Sequence, residues 1–111
     1  NGLAHAMVWR GRGASVPESL ELGVVLAALA DGSRRRVVAD LAKVPAGTEL
    51  ACGSFDLPLA KATKTHHFKV LREAGLITQR NHGNGSAVTL RRAEIDRDLP
   101  GLLGLLVAEP D

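Results

Sequence analysis

The segment at residues 61–92, KATKTHHFKVLREAGLITQRNHGNGSAVTLRR, constrains the fold more than any other part of the chain. His67, Leu71 and Ala74 recur at helical spacing, and Gly75 follows where a helix commonly ends in a left-handed glycine. His-Gly-Asn-Gly then separates two short β-like runs, a composition typical of a tight hairpin turn. The segment therefore predicts a helix followed almost directly by a β-hairpin.

The face of this helix opposite its apolar side is basic and rich in hydroxyl groups. Residues 57–92 hold seven Lys or Arg and one acidic residue, Glu73, although the net charge of the whole chain is only +2. A basic centre between more acidic ends is typical of a surface that binds a polyanion, and a simply solvated surface is the alternative.

Two predicted helices precede this segment. The first begins at a capping box, in which Ser15 and Glu18 are three residues apart. Its apolar residues fall on two faces, and a chain of 111 residues has too small a core to bury both. One face holds Leu22, Val25, Leu26 and Leu29, and the other holds Leu20, Val24 and Ala28. The last helix, which Pro100 is placed to open, is apolar until Glu109.

These apolar faces predict a homodimer through the first and last helices. Apolar surface that one small domain cannot bury is commonly covered by a second subunit, and two-fold dimers are the commonest symmetric assemblies. The residues predicted at the interface are Leu20, Val24, Ala28, Leu102, Leu103 and Leu106.

The second helix is predicted to start at Asp31-Gly32-Ser33, with Asp31 or Ser33 as its N-cap, and to bury Val37, Val38 and Leu41. The arginines at 34–36 oppose the helix dipole in its first turn, so they are not expected to serve helix stability. Residues 48–60 fit a short helix or an extended segment, with a break at Cys52-Gly53-Ser54.

Two helices, a turn, a third helix and a hairpin, in that order, describe a winged helix-turn-helix, a mainly α fold with a small β-hairpin. In this fold the third helix lies in the major groove of DNA, and the hairpin tip can lie along the backbone or enter the minor groove beside it, so the predicted partner is double-stranded DNA. The residues predicted to contact it are Lys61, Ala62, Thr63, Thr65, His66 and Lys69 of the helix and Arg80, His82 and Asn84 of the hairpin. Arg91 and Arg92 are expected to add charge at the hairpin base.

Two stretches, ALADGSRRRVVADL at 28–41 and KATKTHHFKVLREAGLITQR at 61–80, resemble the ArsR/SmtB family of bacterial transcriptional regulators. The family's hallmark is an Ala-Asp-x-x-Arg helix start, then a recognition helix of the form Ser-x-His-hydrophobic-x-x-Leu-x-x-Ala-Gly-Leu, then a wing. The resemblance covers about residues 20–107. It implies a recognition helix at 61–74, a wing at 77–91 and a dimer interface built by the first and last helices.

The chain also departs from the family pattern. Ala60 stands at the recognition-helix N-cap and Thr65 at a second position where the family usually has Ser. The family's metal sensors use a Cys-x-Cys-type pair or Asp, His and Glu sets on the last helix. This chain has Cys52 alone and no His beyond residue 82, so the resemblance supports DNA binding and does not support metal sensing.

The histidines and the cysteine have simpler interpretations than metal ligation. His66 and His67 lie about 100° apart around a helix and cannot chelate one ion as a pair, and a zinc site needs three or four ligands. His67 is expected in the core, and His66 is expected to contact a phosphate or base. Cys52 is either a small buried side chain or a redox switch. No metal and no cofactor is predicted.

The remaining features limit the class of protein. An enzyme is not expected, because the sequence has no nucleophile–base set, paired carboxylates or phosphate-binding glycine loop. No apolar run approaches the roughly 20 residues that span a bilayer, so a cytoplasmic protein without a membrane partner is expected. Residues 1–14 are expected to be an expression remnant and a flexible N-terminus, and 15–108 one domain for DNA binding and dimerisation.

The function predicted from these features is that of a bacterial transcriptional regulator, specifically a repressor that binds an inverted-repeat operator as a homodimer and responds to an effector that the sequence does not identify. The alternative is a winged helix used for protein interaction or RNA binding, because a fold does not fix a function.

Overall fold

The computed structural model describes residues 17 and 19–110. The described chain folds as a mainly α domain with a small antiparallel sheet, as predicted. In chain order the elements are α1 (Leu22–Ala28), α2 (Gly32–Ala42), β1 (Glu49–Ala51), a 3₁₀ turn (Cys52–Ser54), α3 (Lys61–Glu73), β2 (Ile77–Asn81), β3 (Ser86–Leu90), α4 (Arg92–Asp98) and α5 (Leu102–Ala108). Residues 1–14 and the capping box predicted from Ser15 and Glu18 lie outside the described residues.

Residues 19–21, directly before α1, are not helical, and α4 holds them in place. The backbone N–H of Leu20 donates to Asp98 Oδ2 at 3.0 Å, and the Leu20 side chain is buried in the core. The Arg97 guanidinium, together with the Leu20 N–H, lowers the pKa of Asp98 from 3.8 to about 2. The carboxylate is therefore ionised at neutral pH, where it accepts the Leu20 hydrogen bond.

Helix α2 begins at an N-cap that the sequence left open between two residues. Asp31 Oδ1 accepts hydrogen bonds from the backbone N–H groups of Ser33 at 2.8 Å and Arg34 at 3.1 Å, so Asp31 is the cap. These bonds satisfy two of the backbone donors that a helix leaves free at its first turn. The predicted buried face is confirmed, since Val37, Val38 and Leu41 are almost fully buried.

The sheet has three strands in the order β1–β3–β2. The predicted hairpin is confirmed as β2 and β3, which pair antiparallel with Arg80 opposite Ala87. Of the two alternatives for residues 48–60, the extended one is correct at Glu49–Ala51: β1 pairs antiparallel with β3 as a third strand and places Glu49 opposite Thr89. The segment that links β1 to α3 is anchored by Phe55, whose ring centroid lies 5.7 Å from that of Phe68.

The core lies between the helices and the inner face of the sheet, and α5 packs against α2. Among the described residues the largest fully buried side chains are Val25, Val37, Val38, Leu41, Leu71, Leu76, Ile77, Val88 and Ile95. No helix in the described part of the chain is long and apolar enough to span a membrane.

Four residues predicted at a dimer interface belong to this core. Leu20, Ala28, Leu103 and Leu106 are 3–8% exposed in the single chain, so their predicted placement on an outward face is wrong. Leu20 precedes the helix and does not share its helical register, and Ala28 lies beside the buried Val25 and Leu29. Leu103 and Leu106 are one turn apart on the side of α5 that packs against α2. Of the predicted set, Val24 is exposed and Leu102 is half-buried.

A different set of apolar residues is exposed. The large apolar side chains that are exposed in the described part of the chain lie on α1 and α5, and they are Leu22, Val24, Leu26, Leu105 and Val107. Leu22 and Leu26 share one side of α1, four residues apart. The expectation that the first and last helices carry apolar residues outward therefore holds, but with other residues than those predicted.

The end of α3 depends on one glycine. Gly75 has φ of +88°, the left-handed conformation predicted for it. A Cβ at this position would lie 2.5 Å from Leu20 Cδ2 and 2.9 Å from Pro17 Cγ. Gly75 thus provides both the backbone turn and the space in which the segment before α1 packs against the end of α3.

We predict that Gly75→Ala destabilises the fold by more than the left-handed conformation alone accounts for. An L-residue in this conformation costs roughly 1–2 kcal/mol, and the Cβ contacts add to that. The matched control is Gly47→Ala, because Gly47 has φ of +86° with no atom near its missing Cβ. Urea denaturation measures both variants, and an equal loss of free energy of unfolding would contradict the packing argument.

Candidate nucleic-acid interface

Helix α3 divides cleanly into a buried and an exposed face. His67, Phe68 and Leu71 are buried against the rest of the domain. The residues predicted to contact DNA from this helix are all exposed, and they are Lys61, Ala62, Thr63, Thr65, His66 and Lys69. The helix carries no acidic residue in its first turn, and its N-cap Ala60 makes no side-chain cap, as predicted. Over residues 61–69 the exposed face therefore combines short side chains, two of which carry hydroxyl groups, with the positive charge of two lysines.

The wing lies directly after this helix, and its tip is held by hydrogen bonds. The His82 backbone N–H donates to the Gly85 carbonyl at 2.8 Å, and the Gly83 N–H donates to Asn81 Oδ1 at 2.8 Å. Asn84 is exposed at the tip, and the Arg80 side chain is 72% exposed. The hairpin can therefore present these side chains without large rearrangement of its backbone.

Sequence reasoning missed an acidic residue beside the wing. Glu49 of β1 places Oε1 3.0 Å from His82 Nε2 and Oε2 3.9 Å from Arg80 Nε. Two of the three wing residues predicted to contact DNA therefore already face a carboxylate. The signal was hidden because Glu49 lies 33 positions before His82 and is brought beside the wing only by the pairing of β1 with β3.

The arginines expected to add charge at the hairpin base serve the interior instead. Arg91 Nη1 donates to the carbonyls of Pro17 at 3.1 Å and Gly75 at 2.9 Å. Arg92 Nη2 donates to the Val44 carbonyl at 2.9 Å, just beyond the end of α2. Both guanidiniums satisfy backbone acceptors that have no partner within a helix, so their positive charge lies at the hairpin base while their donors are directed at the chain itself.

The arginines in the first turn of α2 have a similar role. Arg35 Nη1 donates to the Leu29 carbonyl at 2.8 Å, and its Nε donates to Glu109 Oε1 at 2.9 Å. Arg34 Nε donates to the Ala28 carbonyl at 2.5 Å. These bonds cap the C-terminal end of α1. Positive charge in the first turn of α2 does not interact favourably with that helix dipole, as expected. The hydrogen bonds of these arginines instead stabilise the turn between α1 and α2.

Arg34 also reaches the buried face of the recognition helix. Its Nη1 lies 3.0 Å from His67 Nδ1. Since a guanidinium can only donate, Nδ1 accepts this bond and the ring hydrogen resides on Nε2, 3.7 Å from Asp31 Oδ1. Burial acts to raise the pKa of Asp31, but hydrogen bonds from the Arg34 and Ser33 backbone outweigh it and lower the pKa. His67 is the buried core histidine that was predicted, and its two ring nitrogens both face the α1–α2 turn.

The thiol of Cys52 lies directly after β1, at the start of the 3₁₀ turn. Cys52 is half-buried, its Sγ is 3.8 Å from Gln79 Nε2, and burial raises its pKa although a hydrogen bond with Ser86 acts in the opposite direction. A raised pKa disfavours the reactive thiolate that a redox switch requires. Within residues 17 and 19–110 no three His, Cys, Asp or Glu side chains are grouped as metal ligands would be.

A recognition helix with an exposed basic face, anchored on its other face and followed by a wing, defines the chain as a winged helix-turn-helix protein. Comparison with known proteins agrees with this class. The chain is 37% identical over 84 residues to an uncharacterized HTH-type transcriptional regulator, YceK, of Bacillus subtilis (strain 168), a match that spans 74% of this chain and 82% of the relative. No protein-family model matches.

Among solved structures, the chain resembles an ArsR-like transcriptional regulator from Rhodococcus sp. RHA1, with a TM-score of 0.56 and 22% identity over 76% of this chain and 77% of that one. The chain belongs to the bacterial HTH-type transcriptional regulators, and its fold is the ArsR-like winged helix. The resemblance noted from the two sequence stretches is thereby confirmed.

We predict that Arg34 and His67 are energetically coupled in the folded state. Deleting either partner leaves a buried polar group unsatisfied, and we expect a coupling free energy of about 1 kcal/mol in a double-mutant cycle of Arg34→Met and His67→Leu. His67→Asn should recover part of the loss, because the amide oxygen can accept from Arg34 where Nδ1 did. Urea denaturation provides the free energies.

The matched control for this cycle is His66→Leu, which changes the neighbouring exposed imidazole and should not couple to Arg34→Met. If the His67 and Arg34 substitutions were additive within the error of the control cycle, the hydrogen bond would make no net contribution to holding the recognition helix.

Proposed function

We propose that this transcriptional regulator binds double-stranded DNA in the cytoplasm and acts as a repressor, as a homodimer on an inverted-repeat operator. The observation that carries the proposal is the exposed face of α3 over residues 61–69, which is free of acidic residues and lies beside a wing. A helix of this kind fits the major groove, and its buried face is fixed by hydrogen bonds and packing.

The charge that remains exposed supports this orientation on DNA. Of the basic residues in the central segment, Arg91 and Arg92 bind backbone carbonyls, and Arg72 donates to Gln79 Oε1. The remaining basic side chains lie on α3 and β2, and they are Lys61, Lys64, Lys69 and Arg80. The positive charge available to phosphates is thus concentrated on the recognition helix and the wing.

The exposed side chains divide by reach and chemistry. Thr65 and His66 are short, lie mid-face and carry hydrogen-bonding groups, so we assign them to base edges. Lys61, Lys69 and Arg80 are long and charged, so we assign them to phosphates. Ala62 and Thr63 allow close approach of the helix, and Asn84 and His82 lie at the wing tip, beside the flanking backbone.

The exposed apolar residues of α1 and α5 support the homodimer. A monomer that left Leu22, Leu26 and Leu105 in water would carry an apolar surface typical of a protein interface. A two-fold dimer presents two recognition helices, which read an inverted repeat whose half-site centres are about one helical turn apart.

The DNA-binding proposal is tested by selecting bound fragments from a random duplex pool and titrating the selected site and a scrambled one at several salt concentrations. Thr65→Ala and His66→Ala should each cost roughly 1–3 kcal/mol on the selected site and relax sequence preference. Lys69→Gln should weaken binding to both duplexes alike and lower the salt slope by about one. Lys43→Gln, which removes an exposed charge at the end of α2, is the control.

Unchanged affinity and specificity in the Thr65 and His66 variants would contradict the proposal, and an RNA or protein ligand would then become the better candidate.

For the dimer, we predict that Leu26→Glu or Leu105→Glu yields monomers in sedimentation velocity at micromolar concentration, because a charge replaces an apolar contact that the partner desolvates. Ala93→Glu introduces the same carboxylate at an exposed position of α4 and should leave the dimer intact. A wild-type chain that sediments as a monomer under these conditions would contradict the homodimer.

A further inference from the structure

The outer face of the sheet joins a carboxylate to a guanidinium and an imidazole across an intervening strand. Paired residues in an antiparallel sheet point to the same side, so Glu49, Thr89, Ala87 and Arg80 share one face. The opposite face carries Leu50 and other residues of the core side. Because the middle strand contributes only short side chains to the outer face, the longer ones from the two flanking strands can meet over it.

This arrangement is seen in the distances and in the burial of the middle strand. Glu49 Oε1 is 3.0 Å from His82 Nε2, and its Oε2 is 3.9 Å from Arg80 Nε. Ala87 is only 7% exposed although its side chain points outward with Arg80, as expected beneath longer neighbours. The Glu49 side chain itself is 31% exposed, so its carboxylate remains at the surface that the wing presents.

We propose that Glu49 is an affinity-limiting residue of the DNA interface, whose carboxylate pairs with the wing side chains Arg80 and His82 and must yield them to phosphate when DNA binds. This inference rests on the proposed function. It adds an acidic residue with an opposing role to a surface otherwise described by its positive charges.

Two physical effects of the Glu49 carboxylate both lower the affinity for DNA. The first is exchange: Arg80 leaves one anion for another, so its contact with phosphate gains less than that of an unpaired arginine. The second is repulsion between the Glu49 carboxylate and the phosphate backbone, which is screened by salt beyond about 10 Å but acts at closer range. An exposed ion pair of this kind contributes little to folding, so removing the carboxylate should affect DNA binding more than stability.

The effect should not depend on DNA sequence. Phosphate contacts fix position and carry no direct sequence information, and base reading is assigned to Thr65 and His66 on α3. Neutralising Glu49 should therefore strengthen binding to every duplex by the same factor and leave the ratio between specific and scrambled sites unchanged.

The experiment measures fluorescence anisotropy of the full chain with the selected duplex and a scrambled duplex between low and physiological salt. Glu49→Gln should bind both duplexes more tightly, by about 3- to 10-fold at low salt, with a steeper salt dependence. Glu49→Thr, which removes the charge with a residue favoured in strands, should give the same gain. The gain should become smaller when Arg80→Gln is added, because the exchange at Arg80 is then absent, whereas the repulsion between the carboxylate and phosphate and the pairing with His82 remain.

Asp96→Asn is the control, since it removes one exposed negative charge from α4 and should leave affinity within twofold of wild type. The inference is overturned if both Glu49 variants keep the wild-type melting temperature and bind DNA no more tightly than wild type, or if their gain is undiminished in the Arg80→Gln background. A wild-type chain that binds no duplex even at low salt would overturn the proposed function, and this inference with it.

Discussion

The orientation of helix α3 depends on how its inner face is held, and the rest of the account depends on that orientation. Phe68 and Leu71 pack into the core, and between them and the exposed face His67 accepts a hydrogen bond from Arg34. Arg34 in turn binds the last carbonyl of α1, and Asp31 caps α2 through the same turn. The recognition helix is thereby joined to the α1–α2 turn at a polar contact, which specifies direction as apolar packing alone does not.

Arginine has two different roles in this domain: some arginines bind backbone carbonyls, and others are exposed to solvent. Counting basic residues along the chain overestimates the charge that faces outward, because a guanidinium is also an effective donor to carbonyls at helix ends. Arg91 and Arg92 serve the interior in this way, whereas Arg80 is exposed. Glu49 reduces the free charge of the wing further. Which basic side chains can bind phosphate therefore depends on the groups that each one contacts within the folded chain.

Much of the fold could be predicted from sequence because its signals are local. The period of α3, its terminal Gly75 and the glycine-rich turn between β2 and β3 all lie within about 30 consecutive residues, and the structure agrees with each. The misplaced features depend on contacts between distant segments. Strand β1 has only three residues and is defined by pairing with β3. Leu20 was assigned by helical spacing, but a hydrogen bond to Asp98 holds it outside the helix.

The central claim is that the exposed face of α3, together with the wing, is the surface that meets DNA. The most direct measurement is the change in backbone amide NMR signals of the full chain as the selected duplex is added. The account predicts that the largest changes fall at residues 61–69 and 80–85, with small changes at α4. Changes concentrated on α1, α5 or the α2 surface, with residues 61–69 unaffected, would contradict it.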